Sequence, residues 1–313
     1  MKNKLQLALL ITSFSLLLFS ACKKSTNDIT KLDFTEESTT HSDDQSTFTN
    51  ETDALANDFN TIVDNYVAFN GREANTLAIP CDATVSVDSI SSPRRITITY
   101  NGSNCVPFRT RTGTVVITMP ANVRWRDSGA IMTVNMQNVK ITRTGTNRSI
   151  TINGIKTIRN VTGGLIRQVV MPGVTVIHEI RSNNMSVRFA DSTSRTWQIA
   201  RRRGFTFNNG LTITTRGIAT VDGINEVAEW GTNRYGNEFI TATSEPLIVR
   251  QNCAFRLTSG QVKHHKMSSL VTVTFGLDST GAPTTCPMNA PFYFKMVYTG
   301  ANNVTRTVIR PYN

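Results

Sequence analysis

Histidine is scarce in this 313-residue chain, at four residues: His41, His178, His264 and His265. A zinc site needs three or four convergent ligands. His178 adjoins Glu179, and His264 adjoins His265, within alternating stretches, so the side chains of each pair diverge. No C-x-x-C spacing, H-E-x-x-H or EF-hand loop is present, which leaves no local metal site. There is no P-loop, no dinucleotide fingerprint and no G-x-S-x-G elbow, so the common nucleotide-dependent and serine-hydrolase arrangements are excluded and no cofactor is called for. Long apolar runs are also few. The one that stands out, Leu5 to Phe19, is too short to span a bilayer.

Acidic residues are unevenly withheld. The net charge is +11, yet residues 22–80 carry eleven acidic and four basic side chains, whereas residues 81–313 carry 27 basic and eleven acidic. That asymmetry describes an acidic leader joined to a basic body. A body of this charge suits anionic lipid, acidic glycan or nucleic acid, and scattered Arg and Lys also serve plain solubility.

What is present begins with Lys2 and Lys4, the apolar run, and then Ser20-Ala21-Cys22, the pattern of a secretory signal over residues 1–21. The stretch Phe19-Ser20-Ala21-Cys22 resembles the cleavage motif of bacterial lipoprotein signals, with Phe19 in place of the usual aliphatic residue. The resemblance implies acylation of Cys22. Several acyl chains, each worth about 0.8 kcal/mol per buried methylene, would hold the protein on a membrane. Such an address faces lipid or glycan, not nucleic acid.

Residues 22–50 are rich in Ser, Thr, Asp, Glu and Asn and read as a flexible acidic tether. Over residues 51–70, Leu55, Phe59, Ile62, Val63, Tyr66 and Val67 recur at helical spacing, predicting an amphipathic helix that ends at Asn70-Gly71.

From residue 81 to 313 the period changes to two. Ile96, Ile98 and Tyr100 alternate with threonines, as do Met132, Val134 and Met136 with Thr133 and Asn135, and Val271, Val273 and Phe275 with Thr272 and Thr274. Asn101-Gly102, Asn153-Gly154, Gly163-Gly164, Asn209-Gly210 and Asp222-Gly223 mark turns. The class is all-β: an antiparallel β-sandwich or strongly twisted half-barrel behind one short N-terminal helix. The alternation slips near Gln137-Asn138, predicting a β-bulge. Cys81, Cys105, Cys253 and Cys286 allow three pairings, of which the spacing favours the local bridges 81–105 and 253–286. Each cysteine pair brackets a similar run of strand, turn and strand, as if one meander were duplicated at the two ends of the β region.

The stretches Thr97-Ile98-Thr99-Tyr100, Arg109-Thr110-Arg111-Thr112-Gly113-Thr114-Val115, Ser194-Arg195-Thr196-Trp197 and Gly231-Thr232-Asn233-Arg234-Tyr235-Gly236, with the second cysteine hairpin, are similar to a family of uncharacterised exported lipoproteins of Bacteroidota. The resemblance covers most of residues 81–300. It implies an exported, anchored, all-β body with two disulfides, and it implies no activity.

Two clusters hold the remaining chemistry. Arg195, Trp197, Arg201, Arg203 and Phe205 share one parity, with Arg202 opposite. Guanidinium groups beside aromatic rings suit an anionic glycan or lipid; the same residues also suit a charge-rich edge strand that blocks stray pairing. Asp222, Glu226 and Glu229 flank Trp230, as a glycan hydrolase would require, or as a solvated hairpin would show. The function these features favour is non-enzymatic: a lipid-anchored protein of the outer membrane or cell envelope that binds a ligand or serves structurally. A half-barrel carrier of lipid or another amphiphile is the first alternative, and a secreted glycan-acting hydrolase the second.

Overall fold

The computed structural model describes residues 29–70, 79–106, 109–144, 148–253, 255–265, 270–286, 290–299 and 305–312. The signal segment 1–21 and Cys22 lie outside the described residues, as does Gly71 of the expected helix end. The chain forms two units, residues 1–37 and 38–313. In the first, the described residues are the opening turns of helix α1 (Ile29–Asn65). The second contains the rest of α1, a short helix α2 (Val67–Asn70) and, among the described residues, fifteen strands.

The strands are β1 (Ala83–Asp88), β2 (Arg94–Asn101), β3 (Arg109–Met119), β4 (Ile131–Arg143) and β5 (Ser149–Asn160). Then come β6 (Val176–Phe189), β7 (Ser194–Phe207), β8 (Leu211–Gly217), β9 (Ala219–Val221) and β10 (Ile224–Thr232). The last are β11 (Glu238–Arg250), β12 (Arg256–His265), β13 (Leu270–Leu277), β14 (Phe292–Thr299) and β15 (Thr305–Tyr312). All belong to one antiparallel sheet, β1 to β7 in sequence order and then β10 to β15, with β8 joining β7 to β11 and β9 folded onto β10. Inward side chains such as Ile96, Ile98, Met132, Val134 and Met136 are buried, and the threonines between them face outward. The all-β antiparallel class read from the alternation is the one found.

Helix α1 shows how the sheet bends. The Thr39 hydroxyl lies 3.3 Å from that of Tyr298 on β14, and Asp58 accepts a 3.2 Å hydrogen bond from Tyr100 on β2. Nineteen helical residues span about 28 Å. In the sheet order β2 and β14 are ten strand steps apart, about 48 Å if flat. A helix of that length touches both strands only if the sheet curves round it. One sheet curved over a helix is the half-barrel form of the fold.

The expected tether is therefore corrected. Its described part, residues 29–50, is helical and continuous with 51–65, and Ser38, His41, Ser42, Asp44, Gln45 and Phe48 are buried. Residues 38–50 have little intrinsic helix propensity, being mostly Ser, Thr, Asp and Asn. They are helical because the sheet supplies what the local sequence does not. Phe48 stacks on Trp197 at 3.9 Å between centroids, and the acidic side chains meet arginines.

The bulge forms where the alternation slips. The β4–β5 register shifts between Met136 and Val139, Asn138 takes φ 50°, and its N–H donates to Asn153 Oδ1 at 2.7 Å. Gly113 on β3 passes so close that a Cβ there would sit 2.2 Å from the Asn138 carbonyl oxygen. Asn153-Gly154 is accordingly not a turn; it lies inside β5, opposite the bulge, where a glycine lets the strands close up. The cysteines pair as 81–105 and 253–286, with Cα separations of 6.1 and 5.3 Å. The bridges tie the approaches to β1 and β12 to the β2–β3 and β13–β14 connections, so the two similar meanders stand near opposite ends of the sheet.

Candidate functional site

The acidic and basic halves of the sequence meet on the inner face of the sheet. Asp44 of α1 accepts from Arg234 at 2.6 and 2.9 Å. Glu51 faces Arg109 at 2.7 Å and Arg143 at 3.4 Å. Asp53 pairs with Arg203, and Asp58 accepts from Arg111 at 2.6 Å. Arg111 also grips Asp82 through two 2.7 Å bonds and lies over the Tyr100 ring. Burial raises the Asp44 and Asp58 carboxyls, and their arginine partners oppose that rise.

Strand β7 supplies the centre. Arg195, Trp197, Arg201, Arg203 and Phe205 all point inward and are all buried, while Arg202 faces out to Glu179. The side-chain grouping is as the parity implied, but its setting is not. β7 is an interior strand between β6, β8 and β10, so the edge-strand reading fails. The face is also closed by α1, so it is not an open ligand surface. Arg195 lies over the rings of Trp197 and Phe239 at 3.2 and 4.3 Å.

Glu229, from β10, is the charged hub of this face and is 0 % exposed. It accepts from Arg201 at 2.8 Å, from the Trp197 indole N–H and from the Gln45 amide of α1. Glu226 is exposed and pairs with Arg216 at 3.6 Å, and Asp222 sits in the β9–β10 turn with φ 50°. The three acids flanking Trp230 thus do not share a cleft. The bend at Glu226, with φ 55°, and the register shift at 227–229 separate them.

Three histidines belong to the interior. His264 accepts or donates at Nδ1 to the Thr241 hydroxyl (2.9 Å) and meets His41 edge to face at 4.8 Å; burial, then Arg195, pushes it down to about 3. His41 is held well below the imidazole range by burial and by the same arginine. His178 packs between Trp125 and Phe205, and burial brings it to about 3. His178 and Glu179 face opposite ways, as adjacent strand residues must. Burial also lowers Lys156 to about 7, with Arg203 and Arg201 adding to the shift and Asp53 opposing it. None of these histidines converges with other ligands on a metal position among the described residues.

No protein-family model matches the chain, and no match is found among curated proteins or solved structures. Its geometry must speak for itself. Among the described residues, the voids that border α1 include one of about 130 Å³ between Glu51, Arg143 and Arg148 and one of about 10 Å³ beside Lys156. Both fall short of the roughly 300–1,000 Å³ of a small-molecule site. Sequence reasoning found the β7 cluster and Glu229, but missed His41, Asp44, Gln45, Glu51, Asp53 and Lys156 as parts of the same assembly. The signal that pointed to them was the opposite charge of the two halves.

Proposed function

We propose that the protein is a lipid-anchored component of a bacterial cell envelope, held on the outer membrane through an acylated Cys22, with a non-enzymatic binding or structural role. The observation that carries this reading is the seating of acidic α1 on the basic inner face. The side chains best suited to acid–base work, Glu229, Arg201 and Arg111, are committed to one another and to α1. Groups locked in this way hold a body together; they do not turn over a substrate. Metabolic labelling with an alkynyl palmitate tests the address. Wild-type protein is expected to take the label and fractionate with membranes, and Cys22→Ser to do neither. Unlabelled wild-type protein refutes the anchoring.

A second reading, a carrier of an anionic amphiphile such as a lipid, has one observation in its favour. Where α1 meets the sheet, His41 of the helix and Arg195 and Arg203 of β7 each bury nitrogen atoms that make no hydrogen bond. Each such atom costs about 1–3 kcal/mol, so the helix–sheet contact is imperfect there and an anionic ligand would have something to gain by displacing it. Native mass spectrometry of detergent-extracted full-length protein tests this. Co-purified lipid or acidic glycan supports it, and ligand-free protein from lipid-rich extracts counts against it.

A further inference from the structure

Lys156 projects from β5 into the interior and is 3 % exposed. Among the described residues it makes no hydrogen bond or ion pair. Its ammonium lies 5.4 Å from the centre of the Phe59 ring, and the Asp53 carboxylate attracts it across the smaller void. Lys156 lines the smaller void, which offers about 10 Å³ to the centre of a water-sized sphere, together with Arg201, Arg203, Asp53 and Thr52. That is room for a single small occupant.

The charges round this void do not balance. With Lys156 protonated, it and Arg201 and Arg203 bring three positive charges. Asp53, paired with Arg203, and Glu229, paired with Arg201, bring two negative ones. One positive charge is left over, and Lys156 is the cation with no ion pair of its own, since Asp53 is paired with Arg203. The Nε of Arg203 is also buried without a hydrogen bond. A buried ammonium is tolerated when it is paired and hydrogen-bonded. The apolar remainder of the wall, from Met136, Ile180, Met185 and Ile199, cannot supply that partner.

We propose that this void binds one small monovalent anion, a halide such as chloride, held between Lys156 and Arg203. One such ion neutralises the excess charge and accepts from the Lys156 ammonium and from Arg203 Nε, which otherwise has no acceptor. Thr52 and Asp53 come from α1 and the cations from the sheet. The site is complete only while the helix is seated, so the ion favours the closed arrangement by mass action.

Thermal unfolding of the full-length protein at constant ionic strength tests this, with chloride or bromide titrated in place of gluconate, which is too large for the void. The midpoint should rise by a few degrees and saturate with chloride and with bromide. Lys156→Met should fold, because it replaces a buried ammonium with an apolar chain of similar length, and should lose the halide-dependent part of the rise. A crystal grown in bromide provides a readout that needs no variant: an anomalous peak beside Lys156. The same halide response in wild type and Lys156→Met overturns the proposal. So does a bromide-soaked crystal with no anomalous peak in the void, which would then hold water only.

Discussion

Replacing Glu229 with leucine should cost stability of a size that its surroundings allow to be worked out. The carboxylate is fully buried, accepts from Arg201, Trp197 and Gln45, and offsets an arginine whose side chain is only 5 % exposed. Glu229→Leu leaves the Arg201 charge stranded, and breaking a buried pair from one side costs about 3–5 kcal/mol. In a body of this size that lowers the unfolding midpoint by roughly 6–20 °C, at about 2–4 °C per kcal/mol. Glu229→Gln keeps one acceptor oxygen but loses the charge and the second acceptor, so at least about 1.5–3 kcal/mol is expected. Adding Arg201→Met to Glu229→Leu removes the stranded cation and should return at least about 2 kcal/mol. Urea unfolding followed by far-ultraviolet circular dichroism measures all four proteins. A loss below about 1 kcal/mol for Glu229→Leu, or no recovery in the double variant, would refute the view of Glu229 as the charged hub joining helix and sheet.

Gly113→Ala should destabilise by more than about 2 kcal/mol in the same assay, because the added Cβ meets the Asn138 carbonyl at 2.2 Å and φ is +104°. Lys156 titrates at about 7 in the folded protein against its ordinary 10.5, so between those values the unfolded chain holds the extra proton. Stability should therefore rise as pH goes from about 7 to 10; the urea midpoint in gluconate buffer reads this, and Lys156→Met should flatten the slope. Removing the 81–105 bridge by paired Cys→Ser substitution should cost about 3–4 kcal/mol, checked by urea unfolding of the variant against wild type without reductant, which leaves the 253–286 bridge intact in both. Amides of residues 41–50 should show slow hydrogen exchange in the native protein, since that segment is helical and packed; exchange at the free-chain rate would restore the tether reading.

Strand residues were easy to read because their pattern is local. Ile96, Ile98 and Tyr100 alternate with threonine whichever partner they meet, and the slip at Gln137-Asn138 announced a bulge before its geometry was known. The parity of Arg201, Arg203, Trp197 and Phe205 likewise put them on one face. Parity could not say which face was the inside, nor that β7 lay in the middle of the sheet. Glu229 shows the same limit: its neighbours in sequence, Glu226 and Trp230, are not its neighbours in space.

The amino-acid order alone thus settled the antiparallel all-β class, the local disulfide spacing, and the division of charge between an acidic first segment and a basic remainder. Tertiary structure alone decided that residues 38–50 become helix and that the arginine face closes over them. The reason is physical. Those residues have neither the apolar stripe nor the propensity to fold by themselves, and their helix is stabilised by carboxylates meeting guanidinium groups up to 190 positions away. Compensation at that range leaves no periodic trace in the chain; it appears only when the sheet has curved far enough to bring both charges together.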